Sequence, residues 1–167
     1  MAKRPGRGDR DRIASAVAAE WAALLPAPAD QTALVMGDPC DHLALALEGA
    51  GRSVARWHRY RVEGQETGPW PPPGPFGEVW IRLPRSTTEV RMLLTAAAAR
   101  VETGGRVLVF GAKDEGIRSA DNHRPDNLAP FTTVLVKRRS RVLATSLTGS
   151  PPTDEGLEAW ATDTSVD

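Results

Sequence analysis

Residues 106–111 (RVLVFG) constrain this chain more than any other segment. The run is too short for a buried helix and shows no polar alternation, so it reads as a strand buried on both faces, as in a parallel sheet. Such a strand needs neighbours of the same kind and a covering layer on each side. The chain supplies both. Residues 32–37 (TALVMG), 53–57 and 78–83 (EVWIRL) are further short apolar runs bounded by turn residues.

Between these runs the apolar period lengthens to that of helices. Ile13, Val17, Trp21 and Leu24 recur at spacings of four and three, which predicts a helix over about 11–25. Asp9 or Asp11 is its expected cap, and Pro26 and Pro28 lie where it must end. Asp38-Pro39 is expected to open a second helix, with Asp38 as cap, Leu43, Leu47 and Ala50 inward, and Gly49 and Gly51 at its stop. Ser86 and Glu89 have the spacing of a capping box. Val90, Leu94, Ala97 and Val101 line one face behind it, and Gly104-Gly105 is the expected stop. A short helix is expected near 115–121. Two β-rich runs, 131–136 and 141–146, stand only four residues apart and predict an antiparallel hairpin.

Helices alternating with strands and ending in a hairpin predict an α/β fold. The expected architecture is a Rossmann-like, methyltransferase-type three-layer sandwich, with a mostly parallel sheet and a C-terminal antiparallel hairpin. A length of 167 residues suits one domain. The expected organisation is a basic disordered arm at 1–10, a degenerate Rossmann-like domain at 11–148 and an acidic linker at 149–167. Residues 63–77 stand outside this pattern. Their five prolines and four glycines exclude a helix or a central strand, so they read as a surface crossover, or as a polyproline ligand for a partner.

No apolar run approaches the roughly 20 residues needed to span a bilayer, and no hydrophobic segment follows the basic N-terminus. A cytoplasmic protein without membrane contact is expected. Cys40 is the only cysteine, which excludes intramolecular disulfides and multi-cysteine zinc sites. The formal net charge is zero, but 150–167 holds five acids and no Lys or Arg, so the rest of the chain is basic. That excess fits nucleic acid or, equally, an ordinary solvated surface.

Chemistry should sit in the first strand–helix turn, Gly37-Asp38-Pro39-Cys40-Asp41. This turn has one glycine where a dinucleotide fingerprint needs two or three. Pro39 removes a backbone donor, and Asp38 and Asp41 oppose a phosphate. S-adenosylmethionine lacks a phosphate, so charge matters less for it, but the missing glycines still argue against it. His42, His58 and His123 lack metal-site spacing, Cys40 has no evident His partner, and Ser119 lacks a G-x-S-x-G setting. No catalytic, cofactor-binding or metal-binding residue is expected.

Several motifs, in order, carry a resemblance. Residues 34–43 (LVMGDPCDHL) have an apolar strand, then Gly-Asp, then an acid and a leucine. Residues 83–89 place Pro84-Arg85 at a strand end before a helix. Residues 111–120 read G-x-x-x-x-G-I-R-S-A through Gly111, Gly116, Ile117, Arg118, Ser119 and Ala120. Residues 160–167 (WATDTSVD) are similar to W-x-x-x-Y-S-V-D. Over about 33–167 the chain resembles the N-terminal half of the bacterial ribosomal-RNA small-subunit methyltransferase C family and its large-subunit relatives. The Pro-rich loop and residues 121–130, broken where the family has a continuous helix, depart from the pattern.

The resemblance implies two tandem Rossmann-like domains. The second carries the glycine-rich cofactor loop and an Asn-Pro-Pro-[FY] motif that positions the guanine amine. The first has lost both and supports folding and RNA binding. Arg82-Leu83-Pro84-Arg85 stands in the place of that motif here, and guanidinium groups only donate hydrogen bonds. The expected function is therefore that of a non-catalytic N-terminal domain of an S-adenosylmethionine-dependent rRNA guanine methyltransferase. No cofactor is expected in this chain; S-adenosylmethionine is expected in the absent C-terminal domain. The expected partners are ribosomal RNA and that catalytic domain. Candidate RNA contacts are Arg82, Arg85, Lys113, Arg118, Lys137, Arg138 and Arg139, with Gly37, Pro84, Gly111 and Gly116 shaping the loops. A free-standing small methyltransferase-like enzyme and an orphan protein-interaction module remain alternatives.

Overall fold

The structure is a computed structural model and describes residues 6–25 and 31–148. Among the described residues seven strands make one sheet: β1 (Thr32–Met36), β2 (Ser53–His58), β3 (Glu66–Thr67), β4 (Phe76–Arg82), β5 (Val101–Ala112), β6 (Thr132–Lys137) and β7 (Ser140–Thr145). Their spatial order is β3-β2-β1-β4-β5-β7-β6. All pairs from β3 to β5 are parallel, and β7 is antiparallel to both β5 and β6. Every residue of β4, near the middle, is buried.

Alternation along the strands feeds two cores. Leu34, Met36, Val79, Ile81, Val107 and Val109 face helix α3 (Thr87–Arg100). Ala33, Val35, Trp80, Leu108 and Phe110 face helices α1 (Arg7–Leu24) and α2 (His42–Gly49). The result is the three-layer sandwich that continuous apolar strands require.

Several boundaries differ from the sequence expectation. Helix α1 begins at Arg7, so residues 7–10 belong to the helix rather than to a disordered arm. Residues 1–5 and the linker at 149–167 lie outside the described residues. Gly6 is the α1 N-cap and supplies no side chain; neither Asp9 nor Asp11 caps it. The buried face is Asp11, Ala14, Ser15, Val17, Ala18 and Ala22, while Ile13 and Trp21 are half-buried and Leu24 is 72% exposed. Small residues let α1 lie close to both the sheet and α2, and the large apolar residues are left at the margins of that contact.

Helix α2 starts at His42, with Asp41 at its N-cap, rather than at Asp38-Pro39. Asp38 is fully buried instead. Helix α3 does start on the Ser86 cap, whose side chain accepts from the Glu89 N–H. It stops at Arg100, before the Gly104-Gly105 pair, and β5 runs straight through both glycines. A Cβ on Gly105 would lie 2.6 Å from the Gly77 carbonyl oxygen, so this glycine permits strand approach rather than helix termination. The short helix after β5 is two 3₁₀ segments, Lys113–Glu115 and Ile117–His123. The terminal hairpin forms with only Arg138 and Arg139 between its strands, both at positive φ. The Pro-rich loop contains one strand that its composition conceals, the two-residue edge strand β3.

Candidate functional site

The sheet changes direction between β1 and β4, with one set of strands added outward from each. In such sheets the crevice beyond the carboxyl ends at this point is the usual ligand site. Here the loops after β1, β2, β4 and β5 meet at that edge. The Arg138-Arg139 turn joins them, because Ser140 pairs with Ala112 at the end of β5 and the Lys113 N–H donates to the Arg139 carbonyl at 2.8 Å.

The β1 loop is built inward. Gly37 has φ +77°, which a residue with a side chain rarely adopts, and turns the chain so that Asp38 enters the protein. The Ser15 hydroxyl of α1 donates to Asp38 Oδ2 at 2.7 Å, and the Cys40 N–H donates to Oδ1 at 3.0 Å. Ser15 Oγ in turn accepts the Leu43 N–H in the first turn of α2, at 3.3 Å. One carboxylate thus ties α1, the β1 loop and α2 together. Burial raises the Asp38 pKa to about 6 against the lowering effect of those hydrogen bonds and of Arg82 and Arg56. Cys40 is pushed to about 11 by burial and by the negative charges of Asp38 and Asp11, which keeps it a thiol and a poor nucleophile. Among the described residues no cluster of three or more His, Cys, Asp or Glu could hold a metal.

The β4 end is also internal. The Arg82 side chain is 1% exposed; its Nε donates to Asp11 Oδ1 at 3.0 Å and its Nη2 to Glu115 Oε2 at 2.9 Å. Glu115 Oε1 accepts the Ala112 N–H at 2.9 Å. Arg82 is therefore a bracket between α1, β4 and the loop after β5. The expectation that it contacts RNA from the surface is corrected: two carboxylates draw the guanidinium inward. Asp38 is fully buried with each oxygen already bonded, and Arg82 offers only donors, so neither residue presents an acceptor to a ribose or an amino group at the switch point.

The other candidates are exposed. Arg85, Lys113, Arg118, Lys137, Arg138 and Arg139 all face solvent. Lys137 Nζ pairs with Glu20 at 2.9 Å, and Arg138 lies 3.8 Å from the same carboxylate. In the 111–120 motif, Ile117 and Ala120 turn inward three residues apart while Arg118 and Ser119 turn out, as 3₁₀ spacing dictates. Ser119 Oγ donates to the Gly116 carbonyl at 2.7 Å, and Gly116 has φ +84°. Gly111 lies against Leu83, where a Cβ would come within 2.9 Å of the Leu83 Cβ. Pro84 follows that contact directly.

A cleft of about 380 Å³ opens between the β1, β2 and β4 ends. Its apolar wall includes Trp57, Leu83, Met92 and Leu93; His58, Arg59, Tyr60, Arg85 and Glu89 supply its polar groups. The Tyr60 N–H donates to His58 Nδ1 at 3.1 Å, and burial lowers the His58 pKa, favouring neutral imidazole. Sequence reasoning passed over Arg59, Tyr60 and the side chain of Glu89. The signal was present in 58–61 (HRYR), an aromatic residue between bases at a strand end.

The family model described as methyltransferase small domain N-terminal matches residues 28–163. Among solved structures, the chain is similar to the T. Thermophilus 16S rRNA N2 G1207 methyltransferase in complex with AdoMet and guanosine, at 26% identity and a TM-score of 0.65. That match covers 89% of this chain and 42% of the other, so the chain spans less than half of that structure. The ribosomal protein L11 methylase from Lactobacillus delbrueckii subsp. bulgaricus matches with 14% identity and a TM-score of 0.58, covering 79% of this chain and 78% of its own. TrmN from Thermus thermophilus matches with 14% identity and a TM-score of 0.57, covering 88% and 55%. These last two share the fold alone. No curated protein matches the chain.

Proposed function

The chain belongs to the methyltransferase small domain N-terminal family, and from that premise we propose that it is the non-catalytic half of an S-adenosylmethionine-dependent rRNA guanine methyltransferase. In this reading it supports folding and binds RNA. A second domain, reached through the acidic segment 149–167, supplies cofactor binding and methyl transfer, and the protein works in the cytoplasm. No helix among the described residues is long and apolar enough to cross a membrane.

The observation that carries this reading is the state of the switch point. Asp38 is buried with both oxygens bonded, and Arg82 is locked between Asp11 and Glu115. The groups that would handle a cofactor and a target amine are used to hold the fold together. The cationic groups left exposed at the same edge, Arg85, Lys113, Arg118, Arg138 and Arg139, suit a polyanion, and Arg suits phosphate through its planar fork.

Two measurements on the chain test this. Calorimetry should find no S-adenosylmethionine binding tighter than about millimolar, since the turn after β1 is poor in glycine and its Asp38 carboxylate is buried in the fold. RNA should bind weakly, without strong sequence preference, and less well as salt rises. Micromolar cofactor affinity, or no RNA binding at low salt, would overturn the reading.

A further inference from the structure

We propose that the cleft between the β1, β2 and β4 ends holds an unpaired nucleobase of the RNA, with Tyr60 as its stacking platform and Arg85 as a contact to the neighbouring phosphate. The inference rests on the RNA-binding reading above and assigns the site and the kind of RNA.

Tyr60 is 59% exposed, and among the described Phe, Tyr and Trp residues it is the only exposed one. It is nevertheless held from three directions. Its N–H donates to His58 Nδ1, its hydroxyl donates to Glu89 Oε1 at 3.2 Å, and the Arg59 guanidinium carbon lies 5.9 Å from its ring centroid. Arg59 also approaches Glu89 at 3.5 Å. An exposed ring fixed in this way gives up little freedom when a base stacks on it. Every base has a π face, so such stacking tolerates any sequence.

The cleft behind the ring fits the rest of the ligand. Its volume of about 380 Å³ is at the small end of ligand sites, right for one base rather than a helix. Trp57, Met92 and Leu93 give it an apolar wall for a base face. Glu89 can accept from the amino or imino N–H of a base. Arg85 is exposed at the mouth and pairs with no carboxylate among the described residues, so it is available to donate to phosphate. A base inside a duplex already has both faces stacked and its edge paired, and so is barred from entering.

The test compares a dye-labelled single-stranded RNA with the same strand annealed to its complement, by fluorescence anisotropy with the full chain. Tyr60→Ala should weaken single-strand binding about tenfold, the loss of one stacked base, and leave the duplex affinity unchanged. Tyr60→Phe, which keeps the ring and loses the Glu89 bond, should restore most of the affinity. Thermal melting checks that both variants fold. Photocrosslinking of the wild-type chain to single-stranded RNA carrying 4-thiouridine should give adducts on the peptides of 57–61 or 83–93. Equal effects of Tyr60→Ala on single strand and duplex, no effect on either, or adducts elsewhere would overturn the cleft assignment while leaving RNA binding intact. Binding of neither RNA would overturn both.

Discussion

The Asp38 carboxyl is bonded at both oxygens and is still harder to ionise than a free aspartate, because burial outweighs its two hydrogen bonds. Its folded pKa of about 6 lies above the ordinary aspartate value of 3.8. The folded state therefore holds the proton more tightly, and the stability this contributes is complete below about pH 4 and lost as the pH rises through about 6. Asp38→Asn removes that titration. The stability difference between variant and wild type should drift in favour of the variant across this window, by at most about 3 kcal/mol. Urea denaturation of both proteins from pH 4 to pH 7 measures it; a constant difference would show that Asp38 is ionised throughout. Arg82 belongs to the same scale. Arg82→Ala takes a buried cation from two carboxylates and should cost about 3–5 kcal/mol, while RNA affinity of the folded variant stays near wild type. Arg85→Ala with Arg118→Ala should do the reverse, lowering RNA affinity and the slope of its salt dependence at unchanged melting temperature. If the double variant binds normally but melts early, Arg118 is a scaffold residue.

At the scale of elements, helix α1 and the β6–β7 hairpin show how local pattern and tertiary demand diverge. The spacing of Ile13, Val17 and Trp21 marks a helix, and Val17 is buried, yet the rest of the face that packs is Ala14, Ser15, Ala18 and Ala22. Trp21 is half-buried at its margin. Trp21→Ala should therefore cost roughly 1–2 kcal/mol, well below the loss for a fully buried ring. The urea midpoint is the measurement. In the hairpin, Arg138 and Arg139 adopt φ of 50° and 60°, the region a type I′ turn fills with Asn and Gly. Replacing the pair by Asn-Gly should raise stability by about 1 kcal/mol, because the ion pair lost with Glu20 is exposed and weak. The same change should weaken RNA binding if this turn meets phosphate.

On the scale of the whole molecule, the sheet carries one buried charge cluster at the end away from the cleft. Arg52 and Glu78, neither with any side-chain exposure, pair at 2.6 Å, and Arg106 reaches Glu78 at 2.9 Å. This cluster links the start of β2 to β4 and β5 across the sheet interior. The parallel centre of the sheet was legible because continuous apolar runs demand burial on both sides, whichever residues supply it, whereas the spatial order of the strands was not. Ser86 was legible as a cap because its partner, Glu89, is three residues away. By itself the sequence determined the α/β class, the parallel centre, the terminal hairpin and the absence of a glycine-rich turn. All of these depend on residues near one another along the chain. Tertiary structure alone decided which charges are used up. Arg82 and Arg85 are three residues apart, yet Asp11, far upstream, and Glu115, well downstream, draw one into the core, while the other faces solvent. Likewise Asp38 reads as a helix cap until Ser15, far upstream, claims its carboxylate. Pairing between distant residues has no local period, and so no pattern within one segment reveals it.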